Sequence, residues 1–415
     1  MSAEEIFQKA VEMADRSERA AYIAETCRGN PEMRADVESL LQAHEQAGDF
    51  LESLPTGLST ASEDPAKLAG PGTVIDRYEL LELIGEGGMG LVYLAQQKAP
   101  LRRCVALKII KPGMDSRQVI ARFEAERQAL ALLDHPNIAR VLDAGTTEAG
   151  RPYFVMEYVR GASLTTYCDE HKLGVEARLR LFEQVCEGVH HAHQKGIIHR
   201  DLKPSNILVT QQGDRAAPKI IDFGIAKAVA QPLTDKTCAT LQGQILGTPQ
   251  YMSPEQVDFA THDIDTRSDI YSLGVIFYEL LTGVTPFEPE FLERAGLAEM
   301  QQTIREREPL SPSARLTRLG ETAKTIAACR STHVIALAKR LQRELEWIPL
   351  KAMQKDRCRR YKSASEMADD IRNYLNGYPL IAGPESATYR MGKLIRKHRA
   401  LVIAIGGWYW GWPWA

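Results

Sequence analysis

Cysteine is too scattered in this chain to organise a fold. The seven (Cys27, Cys104, Cys168, Cys186, Cys238, Cys329, Cys358) are odd in number and contain no C-x-x-C pair. That argues against a disulfide framework or a zinc site and leaves reduced thiols, as in a cytosolic compartment. An excess of one charge is also missing. With 51 Lys and Arg against 54 Asp and Glu, the net charge of −3 gives no reason to expect nucleic acid as the main partner. The opening ten residues carry Glu4 and Glu5 and lack the apolar stretch of a secretory signal. The uncharged run at 400–415 falls short of the roughly 20 residues of a spanning helix. No internal repeat is present. What remains is ordinary globular composition, 44% apolar and 25% charged, in 415 residues, enough for two or three domains.

Three compositional regimes divide the chain. Residues 1–54 read as helical: Ile6, Phe7, Ala10, Val11 and Ala14 fall at helical spacing, as do Val37, Leu40, Leu41 and His44. Nothing there suggests a chemical site. Residues 55–76 shift to Pro, Gly, Ser and Thr and read as a linker. A strand-rich block follows, with strands expected at Tyr78–Ile84, Leu91–Ala95 and Cys104–Ile110, a helix over 116–133, and Tyr153–Val159 as its last segment. Beyond it the character turns mostly helical. A small sheet lobe followed by a larger helical lobe is an α+β arrangement. The stretch from Pro286 to Trp347 is longer and more basic than a helix connection needs, with Arg315, Arg318, Lys324, Arg330, Lys339, Arg340 and Arg343, and reads as a solvated helix face, with a docking role as the alternative.

The candidate chemistry lies in four places. Gly85, Gly87 and Gly90 form G-x-G-x-x-G between two strands, where glycine lets backbone N–H groups approach phosphate oxygens without a Cβ in the way. Dinucleotide-binding folds use the same string, but with a helix following it. Lys108, inside an apolar strand, is either an edge charge or a half-buried cation that needs a carboxylate; Glu126 is the natural partner and Glu124 the alternative. Asp201 can take the proton of an attacking hydroxyl. Asn206 and Asp222 offer the hard oxygen atoms that Mg²⁺ prefers. His190, His191 and His193 lack a carboxylate or cysteine to complete a metal set and read as structural.

The string His199-Arg200-Asp201-Leu202-Lys203-Pro204-Ser205-Asn206, followed by Asp222-Phe223-Gly224, resembles the catalytic loop of protein kinases. With the other segments in order over about 77–380, the chain resembles the eukaryotic-like (Hanks-type) serine/threonine protein kinases of bacteria. The resemblance implies a two-lobed fold, with a small β-rich lobe at 77–157, a helical lobe at 158–380 and an insertion at about 288–346. It implies ATP and Mg²⁺ as cofactors and protein Ser/Thr hydroxyls as substrates. By the same resemblance Ile84, Gly85, Glu86, Gly87, Gly88, Met89 and Gly90 cover the phosphates. Lys108, paired with Glu126, holds the α- and β-phosphates, Asp201 is the base, Lys203 faces the γ-phosphate, and Asn206 and Asp222 bind the metal. Val92, Ala106 and Leu208 sandwich the adenine, Met156 guards the back of the pocket, and the backbone of Glu157 and Val159 meets the base edge. Glu255 pairs with Arg360, and Asp269 supports the catalytic-loop backbone. Thr234, Thr237 and Thr240 are the expected sites of activating autophosphorylation.

Two rivals remain open on sequence alone, a pseudokinase scaffold and a small-molecule kinase. Dimerisation is open as well. The basic segment 381–399, ending Arg396-Lys397-His398-Arg399, precedes the Trp-rich tail at 400–415. Together they suit a cytoplasmic juxtamembrane element, or else an apolar tail that does not span.

Overall fold

The computed structural model describes residues 70–87, 90–110, 132–223 except 214, 248–258, 264–294 and 296–397, and a few of the first forty. The helix expected over 116–133 with Glu126, the loop residues Gly88 and Met89, most of the linker, Thr234, Thr237 and Thr240, and the tail at 400–415 lie outside the described residues. By internal contacts the chain divides into two units, Met1–Gly70 and Pro71–Ala415. In the first, Ile6, Ile23, Cys27 and Val37 are buried together in a small apolar core.

The second unit begins with an antiparallel sheet built from β1 (Val74–Ile75), β2 (Tyr78–Gly87), β3 (Gly90–Gln97), β4 (Arg103–Ile110), β5 (Val141–Thr146) and β6 (Pro152–Glu157). The strand order is β1-β2-β3-β4-β6-β5. Its register explains how the sheet gathers a site. Val92 pairs with Lys108 and Lys108 with Phe154, while Leu94 pairs with Ala106 and Ala106 with Met156. Side chains alternate along a strand and cross-strand partners share a face. Val92, Ala106, Lys108 and Met156 therefore all point to the same side.

Gly90 pairs with Ile110, and a Cβ there would lie 2.4 Å from the Ile109 carbonyl oxygen. Only glycine allows β3 to come this close to β4, whereas at Gly87 a Cβ would meet nothing within 4 Å.

A second, three-stranded sheet, β7 (Ala162–Ser163), β8 (Ile207–Gln212) and β9 (Arg215–Ile220), opens the helical lobe. Its first helices are α1 (Leu164–Glu170), α2 (Val175–Gln194), α3 (Pro254–Val257) and α4 (Thr266–Thr282). The stripe Val175, Leu179, Phe182, Val185, Cys186 and Val189 on α2 is buried, at the spacing of one helical face. Phe182 packs against Phe277 of α4 with ring centroids 5.0 Å apart. Helix α4 is buried nearly all round, capped by the Asp265 side chain and stopped by Gly283 at φ 73°.

The stretch after α4 folds into α5 (Pro289–Arg294), α6 (Leu297–Glu306), α7 (Pro312–Arg318), α8 (Thr322–Cys329), α9 (Val334–Arg340) and α10 (Trp347–Ala352). Leu316, Ile326, Leu337, Leu341 and Leu345 join the main core. The expectation of a solvated basic face is corrected at Arg330, which is 2% exposed and donates to the carbonyls of Ile326, Glu279 and Leu280. Burial pushes this guanidinium down to about 10, with nearby Arg178 adding to the effect. Two cations packed into one region can stay charged because backbone carbonyls and Asp169 surround them.

The last helices are α11 (Ala364–Asn376) and α12 (Ala387–Lys397). Buried Asp370 on α11 accepts hydrogen bonds from the Ile381 and Ala382 N–H groups and from Tyr361 Oη. That ties the chain just past α11 to the lobe.

Candidate active site

The loop between α2 and β8 is held from below by one carboxylate. Asp269, in the first turn of α4 and 1% exposed, accepts from the backbone N–H of His199 at 2.7 Å and of Arg200 at 2.8 Å. The His193 Nε2 lies 2.8 Å from the same carboxylate, which gives that histidine a structural partner. Burial alone would raise the Asp269 carboxyl, but the His193 bond, the neighbouring His199 and the backbone donor hold it below the usual range. His199, buried, has its ring pushed down by desolvation, so it is neutral near pH 7. Its Nε2 donates to the Ile221 carbonyl at 3.1 Å, and its Nδ1 accepts from the Asp201 N–H at 3.3 Å. Arg200 sits at φ 64°, a costly conformation for a residue with a side chain, and its carbonyl accepts from Gln256 Nε2 at 2.8 Å.

This scaffold fixes the chemistry-bearing side chains. Asp201 Oδ2 lies 3.0 Å from Lys203 Nζ, and Asn206 Nδ2 donates to the Asp201 carbonyl at 2.8 Å and its carboxylate at 3.3 Å. Asp222, also left-handed at φ 56°, forms an ion pair with Lys108. The sheet and the loop thus bring Lys108 and Asp222 together, although they are 114 residues apart. Lys108 has its carboxylate, as an apolar strand demands, but the partner seen is Asp222; Glu126 lies outside the described residues.

The residues present suit a magnesium ion. Asn206 commits its amide nitrogen to Asp201, which leaves its side-chain oxygen for a cation, and Asp222 supplies a second hard oxygen donor. No cluster of three or more His, Cys, Asp or Glu exists among the described residues, so phosphates and water would have to complete the shell, as Mg²⁺ tolerates.

On the sheet side, Ala106 and Met156 are buried in the main apolar cluster and Val92 packs against it. Leu208, on β8 opposite Lys219, stands outside that cluster. The Glu157 N–H is engaged by the Arg140 carbonyl at 2.8 Å, so of its backbone only the carbonyl can meet a ligand. Its carboxylate accepts from Lys219 at 2.8 Å. Val159 is buried, whereas Ile84 and Glu86 are exposed at the end of β2.

On the opposite side a small cleft is lined by Asp201, Lys203, Thr248, Tyr251 and Gln256. Tyr251 is fixed by its hydroxyl on Glu279 at 2.6 Å and by its carbonyl, which accepts from Ser272. Gln256 was not marked by sequence reasoning. Its signal was the Ser253-x-x-Gln256 capping box at the start of α3. Behind it Glu255 pairs with Arg360 through two hydrogen bonds, of 2.7 and 2.8 Å.

The small sheet lobe, the larger helical lobe and the cleft between them define a two-lobed architecture. The protein kinase domain family matches residues 78–355. The chain is 36% identical over 314 residues to the serine/threonine-protein kinase PknB of Mycobacterium tuberculosis, covering 74% of this chain and 44% of that protein. It is 38% identical over 327 residues to a probable serine/threonine-protein kinase PknB of Bifidobacterium longum, covering 75% and 41%. It thus spans less than half the length of these curated relatives. Among solved structures, the M. tuberculosis PknI kinase domain superposes with a TM-score of 0.51 at 24% identity, covering 74% of this chain and 99% of that one. The chain belongs to the protein kinase family, in its bacterial Hanks-type serine/threonine group.

Proposed function

We propose that this chain transfers the γ-phosphoryl group of ATP to serine and threonine hydroxyls of proteins. The observation that carries the reading is Asp201, held between Lys203 and Asn206 on a loop that Asp269 fixes, with Asp222 and Lys108 meeting across the cleft. Asp201 orients the substrate hydroxyl and takes its proton as the oxygen bonds to the γ-phosphorus and the bond to the bridging oxygen breaks, releasing ADP. Lys203 faces the charge that spreads over the transferred group. Lys108 would hold the α- and β-phosphates, and Asn206 and Asp222 would hold Mg²⁺, which would supply neutralisation of phosphate charge. The small cleft beside Thr248 and Tyr251 would seat the hydroxyl-bearing segment. Val92, Ala106 and Met156 would pack on the adenine.

The test is Asp201→Asn, assayed by radiolabel transfer from ATP to a generic protein substrate. ATP binding should persist while turnover falls by roughly 10²–10⁴-fold. Near-parental turnover would remove Asp201 from the mechanism.

Two finer readings belong to the same proposal. Autophosphorylation at Thr237, Thr240 and Thr234 would switch the enzyme on by pairing phosphate with Arg200. Mass spectrometry after incubation with ATP, beside the Thr237→Ala/Thr240→Ala variant, tests this. The segment 381–415, basic and then uncharged and Trp-rich, would hold the lobes at the cytoplasmic face of a membrane. A version ending at Arg399 should then move to the soluble fraction.

A further inference from the structure

A cavity of about 530 Å³ opens in the helical lobe, lined by residues of α2, α9, α11 and α12 and of the turn between α9 and α10. It lies at the Glu176 end of α2, a helix of 20 residues, so roughly 30 Å separates it from the end that leads into the catalytic loop. Four cations, Lys339, Arg340, Arg343 and Lys393, line it against two carboxylates, Glu176 and Glu344. Arg340 pairs with Glu176, and Lys393 pairs with Glu344. Lys339 and Arg343 are exposed and make no ion pair among the described residues. Tyr374 lines the same cavity; its hydroxyl accepts from Arg340 Nε at 3.1 Å and so keeps its own proton for an incoming acceptor.

The backbone has departed from a regular helix to build this wall. Leu341–Leu345 is a π turn, closed by the Glu346 N–H on the Leu341 carbonyl at 3.1 Å. Such turns insert one residue into a helix and recur at functional sites. Here Leu341 and Leu345 stay buried while Arg343 and Glu344 line the cavity. The far wall is α12, anchored on the lobe by Tyr389, whose hydroxyl accepts from the Leu380 N–H and whose ring packs edge-on against Trp347 at 5.6 Å.

We propose that this cavity is a second ligand site, which takes a phosphate ester through Lys339, Arg343 and the Tyr374 hydroxyl. A guanidinium fork, an ammonium and a hydroxyl donor around an excess of positive charge are the groups that recognise phosphate oxygens. The volume exceeds a bare phosphate and suits an ester carrying a small organic group. A free metabolite and a phospholipid headgroup share this chemistry.

The full-length chain is titrated with glycerol 3-phosphate in one arm and with vesicles of phosphatidylglycerol in phosphatidylcholine in the other. Saturable binding is expected in at least one arm. Lys339→Glu/Arg343→Glu, two exposed changes, should weaken it about tenfold or more, the loss typical of hydrogen bonds to a charged group. Glu344→Gln, which frees Lys393, should tighten it. Binding to glycerol 3-phosphate that the double variant loses assigns the site to a soluble ester, and vesicle binding that the double variant loses, beyond what the segment 381–415 supplies, assigns it to a headgroup. A parent that binds neither probe overturns the proposal, as does a double variant that matches the parent in both arms.

Discussion

Arg360 and Glu255 form a two-pronged pair, Nη1 to Oε1 at 2.7 Å and Nη2 to Oε2 at 2.8 Å, with the arginine 3% exposed. Ser268 Oγ donates to the same carboxylate at 2.6 Å. Burial would raise the Glu255 carboxyl, but the Arg360 hydrogen bonds and charge, helped by Ser268, bring it below the ordinary value. Because the folded state holds this carboxyl below its unfolded value, its stabilisation is present above pH of about 4.3 and is lost as pH falls through the lower folded value. Glu255→Gln should therefore destabilise the domain by about 3–5 kcal/mol at pH 7, since it leaves a buried guanidinium without its anion. Urea unfolding should show the gap to the parent closing below the carboxylate range. A gap that is constant with pH would mean that packing, not the ion pair, is lost.

Asp269 should act on rate through the catalytic loop. An asparagine has one acceptor where the carboxylate serves two backbone N–H groups and His193, so Asp269→Asn leaves a donor of the loop unsatisfied. Turnover is expected to fall tenfold or more with the KM for ATP little changed, at a cost of about 1–3 kcal/mol in stability. An equal change in KM and turnover would show that the loop does not move on its own.

The parts of the site that sequence made legible are those carried by contiguous strings or by period-two strands. The face shared by Val92, Ala106 and Lys108 follows from alternation once the strands are seen, and the roles of Asp269 and of the Glu255–Arg360 pair followed from a family pattern. What could not be read depends on tertiary register. The meeting of Lys108 with Asp222 needs the sheet and the following lobe in contact. Arg178 carried a signal, a cation on the apolar stripe of α2 between Val175 and Phe182, yet its partners come from three other segments. Arg330 carried none, because a buried arginine and a solvated one look alike within a basic stretch.

Lys355 should make the helical lobe more stable in alkali. Its ammonium donates to the Ile304 carbonyl at 2.7 Å and lies 5.0 Å from the ring centre of Phe287. Burial pushes it down to about 8. Between there and the ordinary value of about 10.4 the unfolded chain binds a proton that the folded chain does not, so unfolding becomes harder as pH rises. Relative to Lys355→Met, the parent should gain stability from pH 8 to pH 10. Parallel curves would show that Lys355 titrates normally.

The Lys108–Asp222 pair should be a feature of the nucleotide-free enzyme that ligand binding remodels. Side-chain exposures of 11% and 29% place the pair at the cleft floor, dry enough to couple and open enough to exchange partners. In the proposed reaction both groups are needed elsewhere, the lysine on phosphate oxygens and the carboxylate on Mg²⁺. A double-mutant cycle of Lys108→Met and Asp222→Asn isolates their interaction. Measured by thermal unfolding without nucleotide, the coupling should be about 0.5–3 kcal/mol and favourable. With saturating Mg²⁺ and ATP each single variant should lose most of the ligand-induced rise in Tm, because Lys108→Met removes the direct contact to the phosphates and Asp222→Asn the one made through the metal. No coupling in the nucleotide-free state would mean that the pair contributes nothing in solution. A full rise in Tm for Asp222→Asn would take Asp222 out of the metal site.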